Sequence, residues 1–102
     1  MSTSAVSEES QERKLPSDLC LKHVAKIAIT QDKPAMMDYW VDSLDGKCFI
    51  GVKDSGEKLL VKNEDEYTSP ISKIYKVNTE YLIMTENSLY VVDAEVQTRR
   101  IQ

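Results

Sequence analysis

The chain is poor in the residues that most often carry chemistry, with one histidine, two cysteines and three glycines among 102 residues. A zinc site takes three or four Cys or His ligands, and so few cannot build one. Cys20 and Cys48 stand too far apart for a metal or redox spacing. Beside Phe49 and Ile50, Cys48 reads as a small packed hydrophobe. Two buried free thiols are expected, as in a reducing compartment. Gly46, Gly51 and Gly56 are isolated, so no glycine-rich loop can cradle a phosphate. No apolar run approaches the ~18–20 residues of a membrane span, and the N-terminus lacks the basic start and apolar stretch of a secretory signal. Positive charge is short too. Thirteen Lys and Arg against 17 Asp and Glu leave a net charge of −4, which argues against a general polyanion binder. The expectation is a cytoplasmic protein without membrane association.

The remaining candidates for chemistry fail one by one. His23 follows Cys20 by three residues, a spacing that shares one face of a helix. A thiol–imidazole pair also needs a group to orient the ring, and nothing nearby supplies it. Asp38, Asp42 and Asp45 with Gly46 suggest part of a calcium loop. Setting Gly46 at its sixth position, however, puts Val41 and Val52 where oxygen ligands are required. Glu64, Asp65 and Glu66 read as a solvated turn. No catalytic residue, cofactor or metal is expected, and the chain reads as a non-enzyme.

What is present is short β-branched and aromatic runs between polar breaks. Residues 1–17 are polar and read as a disordered tail, leaving 18–102 as a single β domain. The clearest signal covers residues 68–92. Ile71, Ile74, Tyr75 and Val77 lead through Asn78-Thr79 to Tyr81-Leu82-Ile83-Met84, and Leu89-Tyr90-Val91-Val92 follows the break at 85–88. Consecutive antiparallel strands have this pattern. Further strands are expected over 36–41, 47–53 and 57–62, with turns at Asp45-Gly46 and Asp54-Ser55-Gly56. In the third strand Cys48, Ile50 and Val52 share one face, and Phe49 and Gly51 the other. Residues 19–30 read in two ways. Lys26 to Thr30 and the turn Gln31-Asp32-Lys33-Pro34 favour a strand, with a helix capped by Ser17 or Asp18 as the alternative. The fold class is therefore mainly β: a small antiparallel, partly open barrel of the SH3-like kind, or a sandwich, of six to seven short strands.

A domain this small buries only about 60–65% of its unfolded surface, so a protein partner or a homo-oligomer is expected. The densest group of large side chains is Met36, Met37, Tyr39 and Trp40. Met36, Tyr39 and Trp40 are the candidate protein-binding residues, because Trp, Tyr and Met concentrate at interface centres; the other reading packs both faces of this strand into the core. The alternative is a single-stranded nucleic-acid surface of Lys73, Tyr75, Lys76, Arg99 and Arg100, using charge and base stacking.

The segments Thr68-Ser69-Pro70-Ile71 and Thr85-Glu86-Asn87-Ser88-Leu89-Tyr90 resemble small β-rich proteins of large DNA viruses and tailed phages. The resemblance covers residues 68–92 and carries over no functional residue. It implies a virus-encoded origin, with the host cytoplasm or the virion as the location. The expected role is a protein–protein interaction module acting as an assembly component or regulator.

Overall fold

Ser17 opens the first helix. In the computed structural model, which describes residues 14–101, its hydroxyl accepts the Cys20 N–H at 3.2 Å, the kind of cap a helix start prefers. Helix α1 spans Asp18–Gln31 and ends at Asp32, whose left-handed backbone (φ 54°) turns its N–H onto the Ala28 carbonyl. This corrects the strand expected over 19–30. Cys20, Val24 and Ile27, at helical spacing, pack inward. The strand's face fails because Leu19, Leu21 and Ile29 are exposed, Ile29 by 78%. The apolar arc of α1 is wider than its buried face, and that width imitates alternation.

The strand expected over 36–41 is corrected as well. Only Ala35–Met36 is extended (β1), and Trp40–Leu44 forms a short helix, α2. Asp45-Gly46 ends α2 instead of turning a hairpin, with Gly46 at φ 71°, the left-handed backbone common just past a helix.

The other strands are β2 (Phe49–Val52), β3 (Lys58–Asn63), β4 (Glu66–Tyr67), β5 (Ile71–Val77), β6 (Glu80–Thr85), β7 (Leu89–Asp93) and β8 (Gln97–Arg100). They form two four-stranded sheets, ordered β1-β7-β6-β5 and β4-β3-β2-β8. Each is mixed, because β1 runs parallel to β7 and β8 parallel to β2. The fold is thus mainly β, with eight strands among the described residues in place of six or seven. Among the described residues no ladder joins the sheets, so they do not close into one continuous barrel.

Strand β6 explains the layering. Tyr81-Leu82-Ile83-Met84 is apolar at every position, the pattern of a strand covered on both faces. Leu82 and Met84 pack in one core with Cys20, Val24 and Trp40 of the helices, while Ile83 meets Val92, Ile50 and Leu60 in a second core between the sheets. Helices, first sheet and second sheet form three layers.

The tail expected over 1–17 lies outside the described residues up to position 13. Residues 14–17 are held in place. The Lys14 carbonyl accepts the Trp40 indole N–H at 2.9 Å, and Pro16 is buried. Ser17 donates its N–H and hydroxyl to the Glu80 carboxylate at 2.8 and 3.1 Å. No helix among the described residues is long and apolar enough to cross a membrane.

Candidate protein-binding groove

Register places the site. Phe49 pairs with Val61 and Gly51 with Leu59 across β2 and β3, and Tyr67 of β4 stands opposite Val61. On the other flank Gln97 and Arg99 of β8 lie beside Phe49 and Gly51. Alternation sets all of these on one face of the second sheet. The opposite face, with Ile50 and Leu60, looks into the inter-sheet core.

This outer face carries an open groove of about 520 Å³ lined by Phe49, Leu59, Val61, Tyr67 and Ile101. Lys53, Asn63 and Glu64 complete its rim. Leu59 and Val61 are buried at the floor, whereas Tyr67 is 59% exposed. Gly51 admits Ile101: a Cβ there would lie 2.7 Å from Ile101 Cδ1 and 3.2 Å from Val61 Cγ2. The Ile101 N–H, bonded to the Val52 carbonyl at 2.8 Å, holds the chain end against the sheet.

Arg99 flanks the groove. Its guanidinium carbon lies 4.7 Å from the Phe49 ring centroid, a cation–π contact. Nε and Nη2 donate to Gln97 Oε1 at 3.2 and 3.0 Å. Arg100 points elsewhere and meets Asp54 at 3.5 Å in an exposed pair, a kind that contributes little.

The protein-binding candidates separate. Trp40 is only 4% exposed and belongs to the core beneath α1, so the surface placement expected for it is corrected. Tyr39 is buried in the inter-sheet core, edge-on to Tyr90 with centroids 5.4 Å apart. Lys62 Nζ sits 4.6 Å from the Tyr39 ring centroid and 3.3 Å from Asp42. Burial works against the Lys62 charge, but the hydrogen bond and charge of Asp42 outweigh it and raise its pKa. Burial, then the charge of Asp38, pushes the Tyr39 hydroxyl up to about 12. Met36 stays exposed at the β1 edge of the other sheet. Trp40 opens the short helix at 40–44 and packs into the core there.

The nucleic-acid candidates are divided too. Tyr75 packs against the core under α1, and Lys76, pairing with Tyr81 on β6, leaves the opposite face of β5. Lys73 lies on the same edge strand. Arg99 and Arg100 sit on β8, the edge of the second sheet.

Cys20 and Cys48 are free and buried. Burial, followed by the charge of Glu80, pushes Cys20 up to about 11, and burial, followed by Asp42, does the same to Cys48. Both thiols are therefore protonated near neutral pH and poor nucleophiles. His23 is exposed on α1, in a recess with Leu19, Ile27 and Tyr75. Among the described residues no group of three His, Cys, Asp or Glu side chains is placed to hold a metal.

Phe49, Leu59, Val61, Tyr67 and Ile101 are absent from the sequence-derived candidates. Their signal was the alternation Phe49-Gly51 and Leu59-Val61, apolar on a face that no further layer of the described residues covers. No protein-family model, curated protein or solved structure matches the chain.

Proposed function

We propose that the protein is a non-enzymatic protein–protein interaction module whose contact surface is the groove on the second sheet. Tyr67 carries this reading: a largely exposed aromatic ring at the mouth of a groove floored by Leu59 and Val61. An apolar centre inside a polar rim is the anatomy of protein interfaces, and aromatic anchors supply most of their binding energy. Neither cysteine nor the histidine reaches the groove: both thiols are buried in the cores, and His23 lies on α1 beyond the first sheet. A single-stranded nucleic-acid surface is the weaker reading, since its five residues are split between two sheets. In the viral setting implied by residues 68–92, the module serves as an assembly component or regulator.

The test is retention of partners from the cells that make the protein, compared between the natural chain and Tyr67→Ser. Tyr67 is exposed, so the variant should keep its melting temperature within a few degrees, in line with about 0.5 kcal/mol for surface changes. It should lose at least about tenfold in partner affinity, because removing an anchor residue costs ~2 kcal/mol or more. An unchanged set of partners at unchanged affinity overturns the groove as the contact surface.

A further inference from the structure

We infer that the segment received by the groove is acidic as well as apolar, with a carboxylate placed on Arg99 beside an apolar anchor. This rests on the protein-binding reading above and deepens it. Among the described residues, Lys53, Lys62 and Arg100 each have a carboxylate partner at 3.3–3.5 Å. Arg99 has none there, although Phe49 and Gln97 both contact its guanidinium. The Phe49 ring lies 4.7 Å from its guanidinium carbon, and Gln97 takes Nε and one Nη2 hydrogen. Among the described residues the Nη1–Nη2 end has no partner, and that fork matches the two oxygens of a carboxylate. Ordering an arginine costs side-chain entropy on binding; here much of that ordering exists before a partner arrives.

The strand order gives the segment a direction. Arg99 lies on β8 at one edge of the sheet, and Glu64 follows β3 near the other. The acidic end of the segment therefore belongs over β8 and β2, and its uncharged or basic end over the β3–β4 turn. Phe49, Val61 and Tyr67 line the path between, where a bulky aliphatic or aromatic side chain fits.

The probes are a labelled peptide Gly-Asp-Glu-Leu-Phe-Ser-Gly, its neutral counterpart Gly-Asn-Gln-Leu-Phe-Ser-Gly, and a labelled oligothymidylate, each titrated by fluorescence anisotropy. The acidic peptide should bind roughly twofold to fivefold more tightly than the neutral one, the size of a well-ordered exposed ion pair. Arg99→Gln should remove that difference and leave the neutral peptide unaffected, while Arg99→Lys keeps part of it. Tyr67→Ser should weaken both peptides, and added salt should weaken only the acidic one. Equal affinity of the two peptides, insensitive to Arg99→Gln but lost in Tyr67→Ser, overturns the acidic partner and leaves the groove reading standing. No binding of either peptide at about 1 mM, the weak end of association, overturns both. Tighter binding of oligothymidylate that depends on Arg99 also overturns the inference and assigns the face to nucleic acid.

Discussion

Cys20, Cys48 and Tyr39 are acids held in their neutral forms, and their effect on stability has a definite sign. Folding raises the thiols from 9.0 to about 11 and the Tyr39 hydroxyl from 10.0 to about 12. Above their unfolded pKa values the unfolded chain releases these protons while the native state keeps them, so stability falls with rising pH. The contribution is complete below pH 9 and is lost as pH climbs through 11 for the thiols and 12 for Tyr39. Thermal melts under reducing conditions should show a midpoint that declines steadily above pH 9. Cys20→Ala with Cys48→Ala should flatten that decline even though it lowers the midpoint overall. A profile as steep in the double variant as in the natural chain would remove the thiols as its source. At this scale the alternation around Cys48 was legible, because strand parity alone separates Cys48 and Ile50 from Phe49. Trp40 was not. Large side chains mark burial and contact equally, and only the local backbone decides which way each one points.

At the scale of elements, the hairpins over 71–92 were legible because each turn has its own chemistry. Asn78 takes the left-handed backbone (φ 55°) that asparagine tolerates. The Thr85 hydroxyl accepts the Asn87 and Ser88 N–H groups at 3.3 and 3.1 Å and closes the next turn. Strand β8 was not legible, since Gln97-Thr98-Arg99-Arg100 has no apolar position. Parallel pairing with β2 makes it a strand, and only the folded chain supplies that neighbour. Helix α1 depends on a distant residue in the same way. Glu80, buried at the start of β6, binds the Ser17 N–H and hydroxyl from 63 positions away. Glu80→Ala strands those donors and should cost about 1–3 kcal/mol. It should also loosen the segment that Trp40 holds at Lys14. Trypsin cleavage after Lys14 is the measurement: slow in the natural chain, and at least several-fold faster in the variant at a temperature where both are folded. Equal rates would mean that the Trp40 bond and Pro16 hold this segment without Glu80.

For the whole molecule, a mainly β domain was legible from short strands and frequent turns, but the number of layers was not. A barrel and two stacked sheets share that spacing, and the parallel contacts of β1 and β8 that set the sheet orders leave no local trace. The consequence of the layering lies in β6, which belongs to both cores. Ile83 is fully buried between the sheets, whereas Trp40 reports on the other core, beneath α1. If the three layers unfold as one unit, damage on one side of β6 must appear on the other. Ile83→Ala should cost roughly 2–5 kcal/mol. At about 4–8 °C per kcal/mol for a domain of this size, the midpoint should drop by roughly 8 °C or more. Trp40 fluorescence and far-UV circular dichroism should then shift together, to the same new midpoint. A Trp40 transition that stays at its original temperature while the dichroism moves would show that the helical layer and the second sheet melt separately. In that case β6 would be a seam between two units and not the strand that joins them.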